Sequence, residues 1–412
     1  MAVSTAGEPI ALHKVELPRG THPRPGHSEQ DPEVWWRGLC GALHGLLHEL
    51  RGHRPAALAL DGTSGTLLLL DAAGGPLAPG LMYDDARGGV AVPRIAGVAP
   101  AEAAVHGATT SLAKLLVLLE EHRPSKFARV LHQAEWLAGR LIGRFDQGDE
   151  NNCLKLGYDP VARGWPDWLG DLGVSPRWLP QVRPVGTALG QVSVAAARQT
   201  GLTAGLPVYA GTTDSVAAAL AAGLVHTGDA TTALGSTLAL KILADRPVNS
   251  GRHGVYSHRV FDRWLAGGAS NSGGAVLRAY FSTEELAEMT PDLRFDIPTG
   301  LDYYPLLRRG ERFPVNDPEL APQVNPRPAD PVRFFQGLLE GIARIERDGY
   351  ALLQTLGAPA PRRVLSTGGG AANLPWQGFR QELLGVPVTA ARHGEAAIGA
   401  ALIARHGAGA AS

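Results

Sequence analysis

The chain has 412 residues, of which 44% are hydrophobic and 19% are charged, and its formal net charge at pH 7 is −1. This length exceeds what one ordinary hydrophobic core holds, so we expect two globular domains. The near-zero charge excludes a general attraction to nucleic acid or to acidic membranes, because such partners need a basic surface.

The cysteines and the hydropathy pattern indicate the cellular compartment of the protein. The only two cysteines, Cys40 and Cys153, stand far apart in the sequence, which excludes a disulfide framework and suits a reducing compartment. No Cys-x-x-Cys or His-Glu-x-x-His motif indicates a metal cage. The apolar runs, such as residues 67–70, are too short to span a bilayer, and the N-terminus lacks a signal-peptide core. We therefore expect a cytoplasmic protein.

The first predicted elements are a strand pair and a helix. Residues 3–12 read as the end of one strand, a glycine turn and the start of another. Asp31 is expected to cap a helix, with Pro32 at the first position, where its missing N–H costs nothing. One face of this helix is predicted to be buried, because apolar residues recur at helical spacing at Trp36, Leu39, Leu43, Leu46, Leu47 and Leu50.

A loop rich in small hydroxyl residues follows. Residues 61–66, Asp-Gly-Thr-Ser-Gly-Thr, lie between two predicted strands at 56–60 and 67–71; we call them the hydroxyl loop. Such a loop leaves room for a polar small molecule, but it also fits a tight hairpin capped by its own Ser and Thr, and the residue types alone favour the hairpin. The chain then continues toward Tyr83, Asp84 and Asp85.

The next segment combines helices with a polar stretch. Residues 111–121 and 128–142 read as helices, with His132 and Gln133 expected to form a satisfied polar pair near a helix start. Residues 149–159, Asp-Glu-Asn-Asn-Cys-Leu-Lys-Leu-Gly-Tyr-Asp, could hydrogen-bond several sugar hydroxyls at once. The alternative is a solvated loop whose Asn side chains bond their own backbone. Residues 180–190 resemble a linker.

The most informative stretch is residues 206–240. A buried strand is expected to stop at a Gly-Thr-Thr turn, with Asp214 at its tip and a small-residue helix at 215–223; a second strand ends in Gly235-Ser236-Thr237, the Gly-Ser-Thr turn. Asp214 could be only a helix cap, and the turn only a turn. However, a carboxylate that accepts a proton, followed about twenty residues on by a phosphate-binding turn, is what phosphoryl transfer to an alcohol requires.

Two further glycine-rich turns lie in the C-terminal part. Residues 269–274, the serine turn, follow strands at 254–258 and 264–268 and precede a helix at 276–281; they could contact phosphate or ribose, or pack a helix closely on a strand. After a long helix at 329–356, a strand at 362–367 enters Gly368-Gly369-Gly370, the triglycine turn, which could lie against adenine or be a flexible turn. A small-residue helix follows at 395–401. Residues 302–306 and 310–314 could pack over a ligand or over their own core.

These motifs together resemble a known enzyme family. GTTDS, LGSTL, GGASNSGGA and LSTGGGAANLPWQ follow the order and rough spacing of the FGGY carbohydrate kinases over essentially the whole chain. ALDGTSGTLLLLD, LHQAEWL, ENNCLKLGYDP, YSHR, LDYYPL and GERFP further resemble the plant and cyanobacterial D-ribulose kinases, a group often labelled xylulose-kinase-like. The hydroxyl loop, in place of the Ser-Gly-Gln-Met-His of true xylulokinases, is the main reason for preferring D-ribulose.

The resemblance implies an α/β fold with two actin-like (ribonuclease-H-like) ATPase domains around a central cleft. Residues 1–224 would form the sugar-binding domain and residues 225–412 the nucleotide-binding domain. The implied reaction is ATP-dependent phosphorylation of the terminal hydroxyl of a ketopentose, D-ribulose giving D-ribulose 5-phosphate. ATP and Mg²⁺ are the implied cofactors, and the small-molecule partners are the sugar and ATP. Ala-rich faces could pack a homodimer or be interior.

The resemblance also assigns residues by position. Asp214 would be the catalytic base and would touch the sugar, and magnesium would lie near it through water, without a direct protein ligand. The other implied sugar contacts are Ser64, Asp85, Asn151 and Asn152. The implied phosphate contacts are Gly235, Ser236 and Thr237, and those bordering the adenosine are Gly273, Gly274, Gly369, Gly370 and Asn373.

One departure from the family concerns the N-terminus. The family opens with a strand ending in Gly-x-Asp-x-Gly-Thr-(Ser/Thr), which handles the transferred phosphate, whereas residues 1–10 correspond to the following strand and turn. We therefore expect the first domain to lack its first strand and the chain as given to turn over weakly or not at all. We favour a start upstream over a degenerate member, because the downstream chemical residues are retained. The alternatives are a sugar- or nucleotide-binding pseudokinase, a xylulokinase and an actin-like or chaperone ATPase.

Overall fold

The computed structural model describes residues 1–121 and 128–410. Its strands are β1 (Ala2–Val3), β2 (Pro9–Ala11), β3 (Glu29–Gln30), β4 (Leu58–Gly62), β5 (Leu67–Leu70), β6 (Gly80–Leu81), β7 (Arg129–His132), β8 (Gln147–Asp149), β9 (Gln181–Arg183), β10 (Ala188–Gln191), β11 (Pro207–Thr213), β12 (Asp229–Leu234), β13 (Leu238–Ala244), β14 (Tyr256–Val260), β15 (Arg263–Ser270), β16 (Arg363–Thr367) and β17 (Val388–Ala390). Its α-helices are α1 (Pro32–Glu49), α2 (Val92–Ala96), α3 (Ser111–Glu121), α4 (Gln133–Ile142), α5 (Trp168–Asp171), α6 (Val194–Thr200), α7 (Asp214–Ala221), α8 (Gly274–Tyr280), α9 (Thr283–Met289), α10 (Pro331–Thr355), α11 (Leu374–Leu384) and α12 (Ala396–Ala410).

The structure divides into two compact units. The first comprises Met1–Ala221, His258–Phe261 and Glu395–Ser412, and the second comprises Ala222–Ser257 and Asp262–Gly394. The sequence places a domain boundary at residue 224, close to the end of the first stretch. It did not indicate that the segment containing α12 belongs with the first unit.

Small sheets and their covering helices build the first unit. The strand orders are β1-β2, β8-β9, β10-β11-β4 and β3-β6-β5-β7. Because β11 and β4 run parallel, with Thr212 opposite Asp61, their carboxyl ends lie at the same edge. Helix α1 begins at Pro32, and the Asp31 side chain accepts a hydrogen bond from the Glu33 N–H, so the predicted N-cap is confirmed.

Four local predictions in the first unit were wrong. Residues 180–190, which were expected to resemble a linker, contain β9 and most of β10, and these strands pair with β8 and β11. The strands on either side of the hydroxyl loop do not form a hairpin, because β4 pairs with β11 and β5 pairs with β6 and β7. Residues 128–142 are not one helix, since β7 pairs with β5 before α4 begins. The Gly-Thr-Thr sequence before Asp214 is the end of β11 rather than a turn. In each case a distant strand overrides the local pattern.

One sheet and a long helix form the core of the second unit. The strand order is β15-β13-β12-β16-β17, and α10 packs against it through Phe334, Leu338 and Ile342. Strands β12 and β16 are parallel neighbours, so the Gly-Ser-Thr turn after β12 and the triglycine turn after β16 leave the sheet at the same edge. The predicted strand before the three glycines is confirmed.

Within residues 1–121 and 128–410, no helix combines the length and the apolar character needed to cross a membrane.

Candidate functional site

Asp214 occupies the position that the sequence predicts at a helix start. It is the first residue of α7 and directly follows β11, and its Oδ1 accepts the Ser215 N–H at 2.6 Å. Its side chain is half-buried. The carboxylate therefore stands at the carboxyl edge of the β11–β4 strand pair, partly accessible and fixed by its own helix. Its role as the base stays a prediction.

Asp61, at the end of β4, is a second carboxylate at this edge. Burial raises the pKa of Asp61 to about 6, and the negative charge of Asp214 adds to the effect. In the sequence, Asp61 is the first residue of the hydroxyl loop and was given no role. The available signal was its position at the start of the loop that was expected to meet the sugar.

A buried lysine joins the two loops that were predicted to contact sugar. Lys114, on α3, is fully buried, and its Nζ donates to the Gly65 carbonyl at 3.0 Å and to the Met82 carbonyl at 2.5 Å. Burial lowers the pKa of Lys114 to about 7. The structure thus brings together the hydroxyl loop, which holds Ser64, and the segment before Asp85. The sequence analysis missed Lys114, although it is the only charged residue in the apolar run at 112–119.

Ser64 and Asp85 differ in how far their side chains are already engaged. Ser64 is half-buried, and its hydroxyl has no hydrogen-bond partner among the described residues, so it can bond a ligand. Asp85 is fully buried and accepts hydrogen bonds from the Ser28 N–H at 2.7 Å and from Arg87 Nη2 at 2.8 Å. Burial opposes its ionisation, but these bonds outweigh it and lower the pKa of Asp85. The Asp85 carboxylate therefore holds Arg87 in place, and direct sugar contact stays a prediction.

Asn151 and Asn152 lie in a buried polar network. The Asn151 amide bonds the Thr212 hydroxyl at 2.9 Å and the backbone of Arg259 at both its nitrogen and its oxygen, so its hydrogen-bonding groups are engaged. The Asn152 Nδ2 donates to Asp149 at 2.6 Å, whereas its Oδ1 is buried without a partner among the described residues. The Asn152 Oδ1 is therefore available to accept a hydrogen bond from a ligand, whereas the polar atoms of the Asn151 side chain are already engaged.

The neighbouring cluster of His132, Glu135 and Cys153 has ligand atoms within 4.8 Å of one another. These groups already bond each other, because Glu135 accepts from His132 Nδ1 at 2.8 Å and from Cys153 Sγ at 3.2 Å. His132 Nε2 meets the Ser111 hydroxyl at 2.9 Å. The predicted satisfied polar pair at a helix start is thus borne out for His132, and the cluster fixes the start of α4 rather than offering an open metal site.

In the second unit, two of the predicted nucleotide turns bond each other. The Gly274 N–H donates to the Gly235 carbonyl at 2.9 Å, the Ala275 N–H donates to Ser236 at 3.0 Å, and the Leu238 N–H donates to Ser272 at 2.8 Å. Gly273 has a φ of 140°, and a Cβ on it would lie 2.8 Å from the Thr237 backbone. Glycine is therefore required for close packing of the serine turn on the Gly-Ser-Thr turn. The first N–H groups of α8 are used in this packing.

The triglycine turn packs against the same region. Gly368 has a φ of 81°, and a Cβ on it would lie 2.6 Å from the Leu234 carbonyl. A Cβ on Gly369, in contrast, would meet nothing within 4 Å, so its backbone is open to a planar ligand. Asn373 caps α11, with its Oδ1 accepting the Trp376 N–H at 3.0 Å.

These residues fit a nucleotide. Ser236 and Thr237 are exposed, and Arg278 Nη2 donates to the Ser236 hydroxyl at 2.8 Å, which places a cation beside the Gly-Ser-Thr turn. The Ser272 hydroxyl is buried and has no partner among the described residues. The sequence analysis missed Arg278, whose signal was a single basic residue one turn into a helix that follows a glycine-rich turn. The structure thus gathers the three predicted turns at one edge of the sheet.

Comparisons with known proteins cover both units. Residues 1–221 match the N-terminal domain and residues 223–408 match the C-terminal domain of the FGGY family of carbohydrate kinases. A xylulose kinase of Staphylococcus epidermidis is 24% identical over 408 residues, which cover 93% of this chain and 81% of that protein. A structure described as a xyloylose kinase from Brucella ovis aligns with a TM-score of 0.89 and 25% identity over 100% of this chain and 88% of that chain. For a xylulose kinase from Rhodospirillum rubrum the TM-score is 0.81 and the identity 25%, over 95% and 84%. The α/β fold expected from the sequence is confirmed.

Proposed function

Because the chain belongs to the FGGY family of carbohydrate kinases and is an ATP-dependent sugar kinase, we propose that it phosphorylates the terminal hydroxyl of a ketopentose, D-ribulose, to D-ribulose 5-phosphate. The observation that carries the choice of sugar is the sequence of the hydroxyl loop, Asp-Gly-Thr-Ser-Gly-Thr, which resembles D-ribulose kinases rather than xylulokinases. The Ser64 side chain in this loop has no partner among the described residues and can bond a sugar hydroxyl. The Lys114 ammonium holds this loop against the segment before Asp85, so the loop is preorganised for a polyhydroxyl ligand.

The first unit supplies the acceptor chemistry. Asp214 takes the proton from the terminal hydroxyl as that oxygen attacks phosphorus, since a positioned carboxylate is a competent general base. Asp61 lies at the same strand edge, and the negative charge of Asp214 contributes to the raised pKa of Asp61. Ser64 and Asn152 orient the sugar through their available oxygen atoms.

The second unit supplies the nucleotide site. Bound ATP provides the phosphoryl group. The Gly-Ser-Thr turn and the Arg278 guanidinium would neutralise phosphate charge, because positioning and charge stabilisation carry most of phosphoryl-transfer catalysis. The open backbone at Gly369 would lie against the adenosine. We propose that magnesium is held near Asp214 through water. We also place the protein in the cytoplasm, where reducing conditions suit the free thiols of Cys40 and Cys153.

A coupled ADP-release assay with D-ribulose, D-xylulose and no sugar tests the proposal. We expect sugar-dependent ADP release, greatest with D-ribulose, and a loss of roughly 10²–10⁴-fold in Asp214→Asn, because a general base typically contributes this factor. Asp171→Asn is the matched control, since Asp171 is an exposed carboxylate of the same unit. No sugar-dependent ADP release would refute the reaction.

D-Xylulose is the second candidate substrate, and the names of the relatives favour it. The proteins from Staphylococcus epidermidis and Rhodospirillum rubrum are both described as xylulose kinases. A kcat/KM for D-xylulose above that for D-ribulose would show that the hydroxyl loop does not select D-ribulose and would replace the first proposal by the second.

A further inference from the structure

The Gly-Glu-Arg-Phe-Pro segment at residues 310–314 contains a buried carboxylate to which the proposed reaction gives no role. Glu311 is 3% exposed. Its Oε1 accepts the N–H groups of Asn271 and Arg312, each at 2.8 Å. Its Oε2 accepts the hydroxyls of Ser270 at 2.5 Å and Tyr304 at 3.1 Å. One side chain thus joins the serine turn to the segment at residues 302–306, which contains Tyr304.

Uncharged donors stabilise this carboxylate. Among the described residues, the hydrogen bonds to Glu311 come from hydroxyls and backbone N–H groups. Burying an ionised carboxylate is costly unless hydrogen bonds replace its hydration. Because the five donors, which include the Phe313 N–H at 3.5 Å, all point at its two oxygens, Glu311 fixes the positions of the groups that carry them.

The contacts continue from Glu311 into the predicted nucleotide site. The Ser270 hydroxyl, which donates to Glu311, accepts the Ser272 N–H at 2.9 Å. The Ser272 carbonyl in turn accepts the N–H of Leu238, directly after the Gly-Ser-Thr turn. The next residues, Gly273 and Gly274, pack on that turn with no room for a Cβ. A shift at Ser270 is therefore transmitted to both turns.

A second set of bonds reinforces the same junction. The Asn271 Nδ2 donates to the Gly310 carbonyl at 3.0 Å, and the Arg312 Nε donates to the Ala269 carbonyl at 2.7 Å. Gly310 and Arg312, on either side of Glu311, thus bond Asn271 and Ala269, on either side of Ser270. The alignment of the two segments is therefore fixed at three successive residue pairs.

We propose that Glu311 is a positioning residue of the nucleotide site: through Ser270 it holds the serine turn in the conformation that binds ATP. The inference rests on the nucleotide role proposed for Gly273 and Gly274. Glu311 itself touches neither substrate. Its loss should raise the KM for ATP much more than the KM for the sugar, because the serine turn and the sugar loops belong to different units.

Two single-hydroxyl variants test this without removing the carboxylate. Ser270→Ala and Tyr304→Phe each delete one hydroxyl that donates to the same Glu311 oxygen, but only Ser270 lies on the serine turn. We expect Ser270→Ala to raise the KM for ATP roughly tenfold, the scale of one hydrogen bond to a charged group. Tyr304→Phe should leave the KM for ATP within about twofold. Glu311→Gln should behave like Ser270→Ala, since its amide would face donors.

Thermal stability and nucleotide binding are measured in parallel. If Ser270→Ala and Tyr304→Phe raise the KM for ATP equally, or if both change only the melting temperature, Glu311 has a general packing role and the proposal is wrong. Calorimetric titration with ADP gives a readout that does not need turnover. Weaker ADP binding in Ser270→Ala alone supports the inference even if no sugar is phosphorylated, whereas a wild-type chain that binds no nucleotide overturns it.

Discussion

The buried ion pair between Arg380 and Glu346 allows a quantitative test of what holds the second unit together. Both side chains are 1% exposed. Arg380 donates to both Glu346 oxygens at 2.6 Å and to the Ser366 hydroxyl at 2.9 Å. Glu346 also accepts the Thr232 hydroxyl. The pair therefore links α10 and α11 to β12 and β16, the strands that lead into the Gly-Ser-Thr and triglycine turns.

Removing one partner should be far more damaging than removing both. Arg380→Met leaves a buried carboxylate whose remaining donor is Thr232, and we expect a loss of about 3–5 kcal/mol in the free energy of unfolding. The double variant Arg380→Met/Glu346→Leu leaves no unpaired charge, and the Thr232 hydroxyl keeps the Tyr350 hydroxyl at 2.9 Å. Well-packed apolar replacements of buried ion pairs are often neutral or stabilising, so the double variant should recover most of the loss.

Urea denaturation is monitored by hydrogen exchange in peptides from α10, α11 and β16. These peptides report the change in unfolding free energy of the second unit alone. Arg294→Met is the matched control, because Arg294 forms a surface pair with Asp296 in which both side chains are more than half exposed. This control should leave the urea midpoint almost unchanged, because exposed ion pairs contribute little to stability. A double variant as unstable as Arg380→Met would refute the reasoning, since the ion pair would then contribute net stability that apolar packing cannot replace.

Two further predictions concern the first unit and the helix packing. Because burial lowers the pKa of Lys114 to about 7, the unfolded chain binds more protons above that pH, so the stability of the wild type should rise from pH 7 to 9 by up to about 1.4 kcal/mol per pH unit. Urea midpoints should show that Lys114→Met loses this slope while the exposed Lys14→Met keeps it, and equal slopes would contradict the assignment. Gly399→Ala places a Cβ 1.8 Å from the Ala217 carbonyl of α7, which should cost about 1–3 kcal/mol and lower turnover by moving Asp214. Gly378→Ala is the control: its Cβ meets nothing within 4 Å, so it should instead stabilise α11 by about 0.5–1 kcal/mol. If Gly399→Ala left stability unchanged, the α7–α12 contact would adapt to the added Cβ and the prediction would be wrong.

Local chemistry was enough to predict several elements. The Asp31-Pro32 pair and the apolar spacing after it predicted α1, whose Trp35, Trp36 and Leu43 are buried. The strand before the triglycine turn and the long helix α10 were likewise predictable. In each case the deciding signal, a cap, a glycine or a periodic apolar face, lies within the element itself.

Other elements depend on partners far along the chain. Residues 129–132 continue the apolar pattern that leads into α4, yet they form β7 because β5 offers an unpaired edge. Gly211 looks like a turn residue, but it lies inside β11, where a Cβ would be 1.6 Å from the Leu60 carbonyl of β4. Glycine is needed there for close approach of two strands rather than for a turn. A short window of sequence carries no information about such a neighbour.

The same distinction separates the site residues that were predicted from those that were missed. Ser64, Asp214 and the three glycine-rich turns lie in short motifs, so the resemblance could assign them as candidate ligand contacts. Lys114 and Glu311 instead position such motifs, and their partners lie in loops that only the fold brings near. Burying an ionisable side chain is unfavourable unless hydrogen bonds or opposite charges compensate for its lost hydration, so its presence indicates that the groups it bonds must stay fixed. By this reasoning the segments joined by Lys114 and by Glu311 are the ones whose displacement should most alter sugar and nucleotide binding, respectively.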